Sequence, residues 1–100
     1  MTMQAHFEIT QQDNAWQVAG NVSIDNALKV WQQSEAMSLM QYINFAHLKE
    51  VDTSILSLML GWQRRAQETK TQLFFLHLPV TLLSLLRLYG VEDFFNIVRE

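Results

Sequence analysis

The segment Leu39-Met40-Gln41-Tyr42-Ile43-Asn44-Phe45 is nearly continuously apolar. Such a run suits a strand covered on both faces, as at the centre of an α/β sheet. His47 to Glu50 reads as a surface turn. From about Ser54 to Glu68 the apolar residues take up helical spacing. A buried strand, a turn and an amphipathic helix confine the chain to folds in which helices pack on a sheet.

The flanking segments extend the pattern. His6 to Thr10 alternates, with Phe7 and Ile9 on one side, and predicts a half-buried strand. Gln11-Gln12-Asp13-Asn14 is a turn, because Asp and Asn side chains mimic backbone turns. Ala15 to Val22 alternates again, placing Trp16, Val18 and Val22 together, so the two segments form a hairpin. Asp25 or Asn26 can cap a helix from Ala27 to about Glu35. Thr71 to Leu78 predicts another buried strand, stopped by Pro79. Val80 to Tyr89 predicts a helix with a leucine stripe at Leu82, Leu85, Leu86 and Leu88, ended by Gly90 in a left-handed conformation. Phe94 to Val98 adds an edge strand or a helical turn. The expected architecture is one α/β domain over residues 1–100. Its mixed sheet has Leu39–Phe45 central, and its helices pack mainly on one face.

Composition narrows the function. Apolar residues at 49% and charged residues at 17% allow a buried core. Zero cysteines exclude a disulfide framework and a thiolate metal site. The net charge of −3 and the scattered basic residues argue against nucleic-acid binding. The start of the chain shows no basic region followed by an apolar core, and no apolar run approaches a membrane span, so the expected setting is soluble and cytoplasmic. His6, His47 and His77 match no ligand spacing. Ser54, His77 and Asp52 could be assembled on paper into a triad. There is no G-x-S-x-G elbow, however, and the expectation is no enzyme, no metal and no cofactor.

The chemistry concentrates at Asp52-Thr53-Ser54, where two hydroxyls and a carboxylate meet the start of a helix. The plain expectation is that Thr53 or Ser54 caps the helix. The functional one is that the helix dipole and free N–H groups favour an added anion, such as a phosphate on Ser54 or Thr53, which Asp52 would oppose by like-charge repulsion. The helix itself is apolar over more than half its circumference at 100° per residue, although a helix lying on a sheet needs a stripe only a little over ~100° wide. Leu56, Met59 and Leu60 are the expected core members. Some of Ile55, Leu58 and Trp62 should then stay exposed and, beside Thr53, Ser54 and a rim residue Arg65, form a protein-binding surface. The alternative is that a C-terminal segment covers them.

Three segments carry a resemblance over nearly the whole chain: Asp52-Thr53-Ser54-Ile55-Leu56 opening a helix after a central strand, Trp16 to Val22 as a strand with a glycine, and Leu85-Leu86-Arg87-Leu88-Tyr89-Gly90-Val91 ending the third helix. Together they resemble the STAS family, the sulfate-transporter and anti-sigma-factor-antagonist domains. Within it, Trp31 and the Asp-Thr start of the motif look like the small subunit of Mla-type phospholipid ABC transporters. The resemblance implies a non-enzymatic cytoplasmic subunit, peripheral to the inner membrane through the transporter, that docks on the ATPase and supports its assembly or activity. It also implies an alternative: an anti-sigma factor antagonist switched by phosphorylation of Ser54, whose partner is an anti-sigma factor kinase. Two residues depart from the family pattern. Ile55 replaces the usual Gly and adds bulk beside the hydroxyls, and Asn44 replaces an Asp common at the end of the central strand.

Overall fold

A computed structural model describes residues 6–99; residues 1–5, where no secretory signal is expected, lie outside the described residues. The elements follow in the order β1 (Phe7–Gln12), β2 (Ala15–Val22), α1 (Ala27–Glu35), β3 (Tyr42–Asn44), β4 (Leu48–Val51), α2 (Ser54–Glu68), β5 (Phe74–Leu76), α3 (Val80–Leu88), a 3-10 turn (Glu92–Phe94) and β6 (Asn96–Val98). The sheet order is β1-β2-β3-β5-β6, with β3 in the middle, and β4 pairs with β2 beyond the end of β3. Among the described residues only β1 and β2 are antiparallel; the other pairs are parallel.

One end of β2 lies beside Tyr42–Asn44 and its other end beside Leu48–Val51, with an irregularity between Gly20 and Val22. Gly20 makes the crossover possible. Its φ is +89°, and a Cβ there would stand 2.3 Å from the His6 carbonyl oxygen. A side chain would therefore be strained by conformation and by contact at once. Its N–H donates to the His47 carbonyl at 3.0 Å, fixing the start of β4. The expected surface turn at His47–Glu50 is thus mostly a strand. Its signature was hidden because Leu48 is buried while Lys49 and Glu50 are both exposed, which breaks the alternation.

Register divides the sheet into two faces. Ile9, Trp16, Val18, Ile43 and Phe75 point inward and form one cluster with the buried stripes of all three helices. Phe45 and Phe75 stack at 5.8 Å, and Phe95 meets Phe75 edge-on at 5.4 Å. The opposite face carries Ala15, Gln17, Tyr42, Asn44, Phe74 and Leu76, all half-buried and outside that cluster. Tyr42 and Phe74 stack there at 5.6 Å. The expectation that the central strand is covered on both faces is corrected: half of its apolar run serves lateral ring packing. The strand is also shorter than the run, since Leu39 to Gln41 precede it and Phe45 follows it. Thr71–Leu78 shrinks in the same way to Phe74–Leu76. Gly90, with φ +69°, ends α3 in the expected left-handed conformation. Both alternatives for the last segment occur in turn, a 3-10 turn and then β6. Glu92 bridges Arg87 on α3 and Arg99 past β6, which ties this segment down.

Candidate docking site

Asp52, rather than either hydroxyl, organises the start of α2. Thr53 occupies the cap position but makes no side-chain capping bond. The Asp52 Oδ1 accepts the Ser54 N–H at 2.8 Å, and its Oδ2 accepts the Ile24 N–H at 2.9 Å. One carboxylate thereby caps the helix and ties down the loop between β2 and α1. Partial burial acts to raise the Asp52 carboxyl pKa. The Ile24 and Ser54 N–H groups and the Ser54 hydroxyl together outweigh burial and hold it below the usual carboxylate value. The loop is braced further by Asn26, whose Oδ1 accepts the Ser23 N–H at 3.0 Å and whose Nδ2 donates to the Asn21 carbonyl at 2.8 Å. Asn44, the other departure from the family pattern, accepts the Ala46 N–H at 2.8 Å and so shapes the turn after β3.

Of the expected surface residues, Thr53 is exposed and Ser54 half-buried. Ile55, Leu58 and Trp62 are core: Ile55 and Trp62 are 0% and Leu58 5% exposed. Leu60, expected in the core, is 37% exposed. The physical reason is the number of neighbours. Below α2 lies the sheet, along one flank lies α1, and on the other Gln63 Nε2 donates to the Phe94 carbonyl at 3.2 Å. A helix packed on three sides buries a much wider arc than one lying on a sheet alone. Leu58 and Trp62 turn toward α1, so it is that helix, and not the C-terminal segment, that covers them. Ile55 points into the core and does not crowd the hydroxyls.

Trp62 illustrates the packing. Its Nε1 donates to Ser34 Oγ at 3.0 Å, and that hydroxyl donates to the Trp31 carbonyl at 2.7 Å. Its ring meets Trp16 edge-to-face at 5.9 Å. Trp16 Nε1 donates to the Ser38 carbonyl at 3.0 Å. Arg65 completes the group: Nη1 donates to the Ser34 carbonyl at 2.9 Å, Nη2 donates to the Met37 carbonyl, and the guanidinium lies 5.8 Å from the Trp16 ring centroid. The expected rim residue is committed to the carbonyls at the end of α1.

The apolar surface at this turn comes from α1 and the loop before it. Ile24 is 76% and Leu28 67% exposed, and with Trp31, Ser54, Ser57 and Leu58 they line a groove of about 340 Å³ between α1 and α2. The signal was in the sequence. Leu28 and Trp31 are spaced i, i+3 on α1, beside the buried Val30 and Ser34, and Ile24 adds to them from the turn before the helix. Among the described residues no group of three metal-ligating side chains comes together.

Comparison with curated proteins finds no match. Among the solved structures that share the fold are two of SpoIIAA. The Bacillus cell fate determinant SpoIIAA in its phosphorylated form has a TM-score of 0.64 at 14% identity, over 95% of this chain and 93% of that one. The anti-sigma factor antagonist SpoIIAA in its unphosphorylated form has a TM-score of 0.65 at 15% identity, over 95% and 90%. Identities this low speak for the fold alone. A family model described as "Mlab, STAS domain" matches residues 5–99, a span that holds the whole sheet, the three helices and the Asp52-Thr53-Ser54 turn; the chain belongs to that STAS domain family.

Proposed function

We propose that this chain is a non-enzymatic subunit that docks on the ATPase of an Mla-type phospholipid ABC transporter and supports its assembly or activity in lipid transport. The observation that carries the reading is the occupied start of α2. The Ser54 N–H that would welcome a phosphate already donates to the Asp52 carboxylate, and the Ile55 and Leu56 N–H groups donate to the Asp52 and Thr53 carbonyls. Thr53 and Ser54 then act as unmodified hydroxyls facing a partner. Ile55, Leu58 and Trp62 back that surface from beneath, and Arg65 steadies the end of α1. The Mlab description of the family supports a transporter setting. Such a subunit is cytoplasmic and reaches the inner membrane only through its partner; among the described residues no helix is long and apolar enough to cross a membrane. It needs no cofactor.

The second reading is an anti-sigma factor antagonist, with Ser54 phosphorylated by an anti-sigma factor kinase. It is favoured by the shared fold with a SpoIIAA that exists in a phosphorylated form. Purification of the chain from its native cells with whatever it binds, followed by intact-mass measurement, separates the two. A stable ATPase complex containing unmodified chain is expected. A substantial population about 80 Da heavier, mapped to Ser54, would replace this reading with the phospho-switch.

A further inference from the structure

A cavity of about 370 Å³ lies at the carboxyl ends of β5 and β6, lined by His77, Leu78, Leu83, Ile97, Val98 and Arg99. Its size falls within the range of small-molecule sites, roughly 300–1,000 Å³. The two strands are parallel, and Leu76 with Val98 is their last register pair. His77 and Arg99 come next in the chain, so they leave the sheet side by side, at a strand spacing of about 4.8 Å. The carboxyl ends of parallel strands are the side on which open α/β sheets bind ligands.

Both polar residues of the cavity have groups to offer. The His77 backbone has φ +56°, the left-handed region that glycine takes freely and a residue with a Cβ does not. Among the described residues its imidazole makes no hydrogen bond. Arg99 gives Nη2 to Glu92, and among the described residues its Nε and Nη1 are unengaged. Glu92 is shared with Arg87, so one carboxylate faces two guanidiniums and these three residues keep one positive charge. No carboxylate lines the cavity itself, although the chain as a whole carries −3. The remaining walls are aliphatic: Leu78, Leu83 and Ile97 are half-buried and Val98 is 40% exposed.

We infer that this cavity binds a small aliphatic carboxylate, with its head on the Arg99 guanidinium and the His77 imidazole and its chain against Leu78, Leu83, Ile97 and Val98. A guanidinium is a planar fork of donors that matches a carboxylate. Glu92 acts as a positioning residue: it holds Arg99 in place before the ligand arrives, which lowers the ordering cost of binding. A bare inorganic anion would leave the aliphatic walls unused. A neutral chain would leave the guanidinium without a charged acceptor. The inference stands apart from the docking reading, since none of these residues belongs to the start of α2 or to α1.

The test is a titration of the isotope-labelled full chain with octanoate, followed through its amide NMR shifts. Acetate, 1-octanol and inorganic phosphate serve as comparison probes. Octanoate is expected to move amides in residues 76–84 and 95–99 with a Kd of about 1 mM or tighter. Each comparison probe should bind at least about fivefold more weakly. His77→Gly relieves the left-handed backbone, so it should fold at least as stably and still weaken octanoate about fivefold or more. Arg99→Gln should weaken it as much, with Glu92 still held by Arg87. Val98→Trp, at a partly exposed position, should fill the cavity and abolish the shifts. Four results overturn the inference: no octanoate shifts up to about 10 mM, shifts centred elsewhere on the chain, 1-octanol or phosphate binding as tightly as octanoate, or folded His77→Gly and Arg99→Gln proteins that bind octanoate unchanged.

Discussion

Trp62 gives the sharpest test of how the helices sit. Had it faced solvent, Trp62→Ala would leave stability unchanged and weaken partner binding. The structure reverses that expectation, because the side chain is 0% exposed, packs edge-on against Trp16 at 5.9 Å and donates to Ser34 Oγ at 3.0 Å. Truncating a buried Trp costs about 3–5 kcal/mol through lost burial and the cavity left behind. In a domain of this size each kcal/mol lowers the melting temperature by about 4–8 °C, so a fall of roughly 12 °C or more is expected. Trp62→Phe keeps the six-membered ring but loses the five-membered ring's packing and leaves Ser34 Oγ without its donor, the latter at about 1–3 kcal/mol. A Trp16/Trp62 double-mutant cycle should return a coupling of about 0.5–1.5 kcal/mol from the ring contact. Thermal and urea unfolding followed by circular dichroism measure all of these, with exposed Leu28→Ala as a control expected within about 0.5 kcal/mol of the parent. A Trp62→Ala protein as stable as that control would refute the assignment of the α2 faces.

Asp52→Asn should destabilise by about 1–2 kcal/mol at neutral pH, because two N–H groups lose a charged acceptor. The folded carboxyl pKa is depressed, so its contribution is full above the ordinary aspartate value and is lost as pH falls through the folded one; urea midpoints of the two proteins should converge below about pH 4. Gly20→Ala should cost about 1–3 kcal/mol in urea unfolding, since φ +89° is strained for alanine and the His6 carbonyl must move. Arg65→Ala should cost about 2 kcal/mol by the same assay through two lost charge-assisted bonds, and Arg65→Lys should restore only part, lacking the fork that reaches both carbonyls. Ser54→Ala should weaken ATPase binding mildly in a titration, whereas Ser54→Glu should weaken it at least tenfold by setting an unpaired charge in the interface.

The order of strands and helices was legible because each apolar run carries the period of its own element. Ala27–Glu35 and Ser54–Glu68 stand where that period placed them. Which face of α2 is buried was not legible, because the width of a buried arc depends on how many elements surround the helix, and periodicity carries no record of α1 lying along Leu58 and Trp62. The strand at Leu48–Val51 was lost for a local reason: the irregularity between Gly20 and Val22 lets two charged residues stand side by side within it. The Asp52-Thr53-Ser54 turn was found, but its division of labour was not. Any of three adjacent residues with an oxygen-bearing side chain can cap a helix. Only the position of the Ile24 N–H decides that the carboxylate does so here.

That division of labour bears on both functional readings. Asp52 joins the start of α2 to the loop that presents Ile24, the first apolar wall of the groove. A phosphoryl group on Ser54 would add about −1.5 to −2 charges beside a carboxylate held in its ionised form. The two anions would compete for the same few N–H groups, and the weaker holder would let go. If Asp52 released the Ile24 N–H, the loop would lose its tie to α2 and the groove would lose a wall. A phosphate at this turn would therefore act on the docking surface as a whole and not on one hydroxyl. In the unmodified chain the same carboxylate keeps the loop, the hydroxyls and the groove in one fixed arrangement, the preorganisation that the proposed docking requires.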